Sequence, residues 1–391
     1  MRILELFAGI GACSTALKRI GMDLEIVDAV EIDKYAMASF NEIHNTNFEP
    51  QDITKWNKEL KDIDLITHGS PCQDFSVAGK QAGGDIGSGT RSSLMYETIR
   101  IVGQIRPKYV LWENVKNLLS KKHKHNFDAY IETMNILGYN SYYQVLNAKD
   151  YGIPQNRERV YTISIRKDIY KGDFVFPEKE ELKLRLKDML EDEVDEKYYL
   201  NNTQIERIKT TTYNVGKTRI QEKEYCDTLC ARDWKDPKCV RIGNIYGEDK
   251  GTGYAGNVWD DNGLSPTINT MNGGNRQPMI PVKNATKKGY DEAIEGDSIN
   301  LQYPDSNTRR GRVGHSVSQT LQCNDSIGVV NKDLRIRKLT PKECWRLMGF
   351  DDEDFEKAQN IPMSNTQLYK QAGNSIVVNV LEKIFRNLFE I

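Results

Sequence analysis

The stretch GSPCQDFSVAGK, residues 69–80, holds one cysteine, Cys72, between a proline and a glutamine, with glycines close on both sides. A cysteine kept for packing usually has apolar neighbours inside a helix or strand. This one follows the short apolar run DLITHGS and precedes the polar GKQAGGDIGSGTRSS. Such a placement suits a nucleophilic thiol displayed at the mouth of a site, with a neutral loop thiol as the plainer alternative. Its partners decide between the two. LWENVKNL puts Glu113 and Asn114 at the C-terminal end of an apolar run, the edge where parallel sheets bind ligands. QNRERVY, if extended, turns Gln155, Arg157 and Arg159 to one face. A thiol, a carboxylate and two guanidiniums would thus converge at one rim. Solvated ion pairs are the commoner fate of such charges.

A second group suits a nucleoside. LELFAGIGACSTAL sets Phe7, Ala8, Gly9, Ile10 and Gly11 between a strand-like and a helix-like run. Glycines there let the backbone turn sharply and approach a ligand at a helix N-terminus. The pattern is not GxGxxG, and a plain tight turn is the competing reading. AVEIDKYA ends another apolar run with Glu31, a carboxylate able to hold ribose hydroxyls, and PQDIT supplies Asp52 and Ile53, one polar and one apolar contact for a base.

Positioning these groups takes a scaffold of alternating elements. RILELFAG, LEIVDAVEI, DIDLITHGS, PKYVLWENV, YYQVLNA and RVYTISI read as strands, and ACSTALKRIG, DKYAMASFNEIH, SSLMYETIRIVGQI and NFDAYIETMNILG as helices. That alternation predicts an α/β fold with a mostly parallel sheet covered on both faces. FPEKEELKLRLKDMLEDEVDEKYY is expected to be a charge-rich, solvated helix. From about 200 to 330 the chain is loop-heavy and β-rich. LSPTINTMNGGNRQPMIPV and VSQTLQCNDSIGVV form a loose repeat that places Thr267 and Thr320 in equivalent positions, with YCDTLCARDWKDPKCV a weaker third copy. LTPKECWRLMGF and QAGNSIVVNVLEKIFRNLFEI return to helix, the last amphipathic enough to dock on the first domain. The expected division is a catalytic, cofactor-binding domain over 1–185, completed by a C-terminal helix over 366–391, and a small β-rich domain over 186–350.

Composition sets outer bounds. In 391 residues, 38% are hydrophobic and 28% charged, and the net charge of −2 means that any polyanion surface must be local. No apolar run approaches the roughly 18–20 residues of a membrane span, and MRILELFAG does not resemble a signal peptide. Seven cysteines, an odd number, point to a reducing cytoplasm rather than a disulfide framework. Cys226, Cys230 and Cys239 cluster without the second pair a zinc site needs, so no metal is expected.

FAGIG, GSPCQDFS, ENV, QNRER, RKLTPKECWRLMGF and QAGNSIVVN occur in the order and at spacings compatible with the cytosine-C5 DNA methyltransferases, and the chain resembles that family over nearly everything except about 190–330, the family's variable target-recognition region. The resemblance implies a Rossmann-like domain binding S-adenosylmethionine plus a smaller β-rich recognition domain. The donor would lie against Phe7, Ala8, Gly9, Ile10 and Gly11, with Glu31 on the ribose, Asp52 and Ile53 at the adenine, Leu94, Asn374 and Ser375 completing the pocket, and Ile32 and Pro71 also among the donor-binding residues. It further implies that a cytosine is swung out of double-stranded DNA. Cys72 would attack C6 and Glu113, followed by Asn114, would act at N3 and the exocyclic amine. Arg159 would hold O2, and Arg157 and Gln155 would brace the loop. The segment after Cys72 would close as a lid, bringing Gln73 and Val77-Ala78-Gly79 towards the vacated space.

The repeated Thr-aliphatic pairs resemble the dipeptide that recognition regions place near the target base; a packing turn used twice is the alternative. KNLLSKKHKH (Lys116, Lys121, Lys122, Lys124) and TRRGR (Arg309, Arg310, Arg312) are the best stretches for phosphates. A cytoplasmic monomer without membrane partners is expected. A restriction-modification or phage anti-restriction setting makes a cognate restriction endonuclease a partner to consider. An RNA enzyme of the other known design would carry a cysteine beside the ENV position, where Trp112-Glu113-Asn114 stand, and a transfer-RNA enzyme of this family should lack so large a recognition region. A DNA-binding protein without turnover is opposed by the intact Cys72, Glu113 and Arg159. A thiol-redox enzyme is opposed by the lack of a C-x-x-C partner at Cys72.

Overall fold

A computed structural model of the chain describes residues 1–71, 90–169, 172–199, 241–244, 257–259, 280–286, 289–304, 306, 308–321, 323, 326–330 and 336–391. Cys72, Gln73, Val77-Ala78-Gly79, Thr267 and the three clustered cysteines lie outside them, so the expectations placed on those residues are not addressed by the fold.

The chain divides into two compact units: Met1–Leu184 with Thr320–Asn324 and Pro341–Ile391, and Arg185–Gln319 with Asp325–Thr340. The sequence expectation carried the small domain to 350. The helix Pro341–Arg346 instead belongs to the first unit, where it packs against the helix Asn365–Asn374.

In the first unit the strands are β1 (Arg2–Leu6), β2 (Glu25–Val30), β3 (Leu65–His68), β4 (Tyr109–Val115), β5 (Tyr139–Asn147), the short β6 (Gln155–Asn156) and β7 (Glu158–Arg166). Six of them form one sheet in the order β2-β1-β3-β4-β7-β5. The pairs β1–β2, β1–β3 and β3–β4 are parallel, and β7 runs antiparallel to both of its neighbours. Central parallel strands are buried on both faces, so they read as continuous apolar runs; β3, LITH, has all four residues buried. Leu4, Leu6, Ile66, Val110 and Trp112 from the sheet pack with Met95, Ile101 and Val102 of α3 (Met95–Ile105) and Phe127, Tyr130 and Met134 of α4 (Lys124–Ile136). The helix Val378–Phe389 packs on α1 (Ala12–Arg19). Arg19 secures that region with an ion pair to Glu382 at 3.3 Å and a hydrogen bond to the Gly349 carbonyl at 2.6 Å. α2 (Lys34–His44) starts where Asp33 Oδ1 accepts the Tyr35 N–H at 2.9 Å and ends at Asn45 in the left-handed region.

The expected charge-rich helix over 176–199 does not form. Only two short 3₁₀ turns appear, Leu186–Met189 and Glu196–Tyr198. The segment has many helix-forming residues but no continuous apolar stripe, and helices in proteins draw most of their stability from burying such a stripe. The turn forms where Leu186 and Met189 are buried.

In the second unit, Ile280–Lys283 pairs antiparallel with Tyr290–Ala293. A four-stranded antiparallel sheet orders Val313–Gly314, Ser298–Asn300, Ile327–Val330 and Ile336–Lys338. Among the described residues its core is formed by Val282, Ala293, Ile299 and Val330. The buried Asp297 ties its loops together, accepting from Ile294 N and Ser316 N, each at 3.0 Å.

Candidate active site

The nucleoside-type turn sits between β1 and α1. Phe7 has φ +53°, Gly9 +57° and Gly11 +81°. The two glycines are required for different reasons. A Cβ on Gly11 would lie 2.0 Å from His44 Nε2, so the ring of His44 closes the underside of the turn. A Cβ on Gly9 would meet nothing within 4 Å, so that position faces open space. Lys18 Nζ donates to His44 Nδ1 at 3.1 Å, and since lysine can only donate, the imidazole is neutral with its proton on Nε2. Burial pushes His44 down to about 3. Ile10 is buried beneath the turn and Ala8 N donates to the Val30 carbonyl at 3.1 Å.

Glu31, just beyond β2, fastens this turn from the side. Its Oε2 accepts Gly9 N–H at 3.0 Å and its Oε1 accepts Asp33 N–H at 2.8 Å. Burial raises the carboxyl above its ordinary range against these two hydrogen bonds. Ile32 next to it is 70% exposed among the described residues, an apolar side chain open on this side. Gln51 brings the PQDIT segment to the same edge, donating through Nε2 to Asp28 Oδ1 and the Ala29 carbonyl. Asp52 accepts from Thr54 Oγ1 and N, which holds its carboxyl below the usual range. Ile53 is 5% exposed and belongs to the core, a more recessed place than the sequence suggested. Leu94 is half-buried against that core.

The second cluster lies at the ends of β3 and β4. Ser70 is held twice: Trp112 Nε1 donates to its Oγ at 3.0 Å and Asn114 Nδ2 donates to its carbonyl at 3.2 Å. Asn114 is thus a buried brace for the backbone that leads through Pro71 to residue 72. Glu113 is buried on β4, and Arg159 Nε of β7 lies 3.1 Å from its Oε1. Burial raises the Glu113 carboxyl, while the Arg159 and Arg157 guanidiniums pull it down, and burial wins. The carboxyl therefore takes up a proton more readily than an exposed glutamate does.

The expected gathering of both guanidiniums at the rim holds for Arg159 alone. Arg157 is 4% exposed and donates to the carbonyls of Leu321 at 3.2 Å, Gly373 at 3.2 Å and Ser375 at 2.8 Å. Gln155 is fully buried, accepting Leu321 N–H at 3.1 Å and donating to the Leu347 carbonyl at 2.6 Å. Asn374 is exposed and Ser375 buried on the far side of that network.

Sequence reasoning overlooked a buried polar group beneath the turn. Glu5 of β1 accepts from Ser14 N at 3.1 Å and from Ser14 Oγ, tying the strand to the start of α1. Cys13 beside it is buried, and burial pushes its thiol up. A carboxylate inside the apolar run RILELF was the available signal. Of the basic stretches, Lys116 is paired with Glu158 and Lys124 with Asp128, while Lys121 and Lys122 are exposed with no ion pair among the described residues. Arg312, expected at phosphates, is instead buried and holds the carbonyls of Asn300 and Tyr303, whereas Arg310 is exposed. Among the described residues no group of three or more His, Cys, Asp or Glu could hold a metal ion, and no helix is long and apolar enough to cross a membrane.

Known proteins match this chain over nearly its whole length. A family model described as C-5 cytosine-specific DNA methylase matches residues 1–390. The orphan methyltransferase M.SPBetaI of Bacillus phage SPbeta is 35% identical, covering 99% of this chain and 97% of its own. The type II methyltransferase M.HhaI of Haemophilus parahaemolyticus is 33% identical, covering 99% of this chain and 94% of its own. Among solved structures, the S. pombe Dnmt2 methyltransferase aligns with a TM-score of 0.55 at 18% identity, covering 100% of this chain and 98% of its own. The Entamoeba histolytica methyltransferase EhMeth aligns with a TM-score of 0.57 at 15% identity, covering 100% and 98%. At those identities the likeness is one of fold.

Proposed function

Because the chain belongs to the C-5 cytosine-specific DNA methylases, which move a methyl group from S-adenosylmethionine to carbon 5 of cytosine in DNA, we propose that Cys72, Glu113 and Arg159 make the target base reactive while the Phe7–Gly11 turn and Glu31 hold the donor. The residues present fit the donor. Gly9 faces open space at a position where a side chain would intrude, and Glu31 keeps lone pairs for ribose hydroxyls after accepting two backbone N–H groups. The exposed Ile32 offers an apolar surface to a purine, with Asp52 nearby in sequence and Leu94, Asn374 and Ser375 completing the pocket. The bound donor supplies an electrophilic methyl on a sulfonium centre.

The chain's own groups have to make carbon 5 a nucleophile. The Cys72 thiolate adds to C6, forming a C–S bond and pushing the C5=C6 electron pair towards N3. Glu113, whose carboxyl burial raises, gives N3 a proton or a hydrogen bond as that charge arrives, and Arg159 steadies both the Glu113 carboxyl and the base O2. Once carbon 5 carried the methyl, a base would remove the C5 proton, N3 would return any proton to Glu113, the C5=C6 bond would re-form and the thiolate would be expelled. Covalent addition replaces one prohibitive step with two easier ones. The base lies inside a duplex, so it must be flipped out at a cost of a few kcal/mol.

The observation that supports this reading best is the pairing of a buried Glu113 with Arg159 beside a Ser70 fixed by Trp112 and Asn114, two residues before Cys72. The proposal extends to a monomer acting in a reducing cytoplasm, a setting in which Cys13, Cys323 and Cys344, which form no disulfide with one another, would stay reduced. The named relatives include both orphan phage and type II enzymes, and a cognate endonuclease belongs to the second setting. Base-resolution mapping of modified cytosines in a methylation-free host identifies the target site. Duplexes carrying 5-fluorocytosine there should then accumulate a protein–DNA adduct with the wild type and none with Cys72→Ala. An adduct formed equally by the alanine variant removes Cys72 from the mechanism.

A further inference from the structure

Residues 320–323 enter the first unit directly from the β-rich stretch, and the chain returns to that stretch from 325. Their attachments are specific. Thr320 Oγ1 donates to the Asn156 carbonyl at 2.8 Å, and Leu321 N–H donates to Gln155 Oε1 at 3.1 Å. Cys323 Sγ donates to Asn374 Oδ1 at 2.8 Å. Between the Thr320–Cys323 segment and the Gly373–Ser375 turn lies one guanidinium: Arg157 Nη1 serves the Leu321 carbonyl, and Nη2 serves the carbonyls of Gly373 and Ser375.

A guanidinium offers donors in a rigid planar fork, so its orientation towards one acceptor fixes its orientation towards the others. Arg157 is buried, and a carbonyl that moved away would leave a charged donor or an acceptor short of a partner away from water. The two segments are therefore held in a common arrangement or released together. This matters because the first resembles a target-recognition dipeptide and the second lies at the donor pocket.

We propose that Arg157 is a positioning residue that couples the two binding events: DNA seated on the chain around Thr320 pre-orders the Gly373–Ser375 turn for the methyl donor, and the donor pre-orders the Thr320–Cys323 segment for DNA. The inference rests on the reading given above and adds a route of communication to it. Coupling between two ligands is reciprocal, so each must tighten the other by one and the same factor.

The test uses the full chain, S-adenosylhomocysteine as an unreactive probe, and a duplex carrying the mapped site. The dissociation constant of the probe is measured with and without duplex, and that of the duplex with and without probe. Wild type is expected to show a reciprocal tightening of about tenfold. Arg157→Lys keeps the charge but loses the fork, and should bring that factor close to one while affinity for the probe alone changes less than about threefold. Cys323→Ala, an exposed change that leaves the buried network in place, should lower the factor partway, and Cys323→Ser should restore it through its hydroxyl. The proposal is overturned if wild type shows no coupling, if Arg157→Lys loses affinity equally with and without the second ligand, or, should that variant not fold, if Cys323→Ala keeps the full factor. Methyl transfer by the wild type is read separately: an active enzyme without coupling sinks this inference alone, and an inactive one sinks the functional reading beneath it.

Discussion

Glu31 and Gly9 are joined by a 3.0 Å hydrogen bond from the glycine N–H to the carboxylate, so the end of β2 sets the shape of the turn that follows β1. The same carboxylate is the one proposed to hold the ribose. Glu31→Gln places an amide N–H against one of the two backbone N–H donors, and Glu31→Ala removes both hydrogen bonds. Bonds to charged groups contribute about 1.5–3 kcal/mol, so titration calorimetry with S-adenosylhomocysteine should show a loss of about ten- to a hundredfold in affinity for either variant. Unchanged affinity in the alanine variant would move the ribose elsewhere.

The two glycines of the turn predict opposite defects. Gly11→Ala drives a methyl group into His44 at a left-handed φ, and should lower the melting temperature steeply, with a cost of about 3 kcal/mol or more. Gly9→Ala meets open space and bears only the left-handed strain of about 1 kcal/mol. It should fold and melt within a few degrees of wild type yet bind S-adenosylhomocysteine poorly, because its methyl group points into the space proposed for the donor. Comparing melting curves with binding isotherms separates the two; a Gly9→Ala protein with normal binding would show that the turn does not face the donor.

The lysines of the KNLLSKKHKH stretch also divide. Lys116 and Lys124 already pair with Glu158 and Asp128, whereas Lys121 and Lys122 are exposed without such partners among the described residues. Removing one lysine–phosphate interaction reduces the slope of log K against log salt by about 0.9. Lys121→Ala with Lys122→Ala should flatten that slope by about one to two, measured by fluorescence anisotropy across a salt series. The pair Lys116→Ala and Lys124→Ala should leave it nearly unchanged. Equal effects would show that pairing in the free protein does not predict DNA contact.

What could be read beforehand was whatever a residue's own neighbours in sequence determine. The six strands of the main sheet announced themselves as apolar runs, and Glu113 could be placed at a strand's C-terminal end because LWENV switches there from apolar to polar. Partnerships to backbone carbonyls left no such trace. Arg157 serves three carbonyls whose residues, Leu321, Gly373 and Ser375, carry no complementary charge, so it looked like a second rim guanidinium. His44 beneath Gly11 was hidden for a similar reason, since only the fold brings the end of α2 under the turn. The stretch 176–199 failed in the other direction: its composition favours helix, but without an apolar stripe to bury, the local preference went unused.

Glu5 gives the protein a pH dependence with a definite sign. Burial raises its carboxyl to about 7, from an ordinary value of 4.5, despite the hydrogen bonds from Ser14. Between those values the folded chain keeps this proton while the unfolded chain releases it. The folded state therefore binds more protons there, and stability falls as pH rises through the window and levels off above it. At pH 8 the ionised, buried carboxylate costs about 3 kcal/mol relative to its unfolded state. Glu5→Gln keeps an oxygen to accept from Ser14 and removes the titration. Urea unfolding should find the variant more stable than wild type at pH 8, by up to that amount, with the difference shrinking steadily towards pH 5. A difference that is constant with pH would mean that Glu5 ionises outside this window, and that Ser14 together with the start of α1 holds it as a carboxylate throughout.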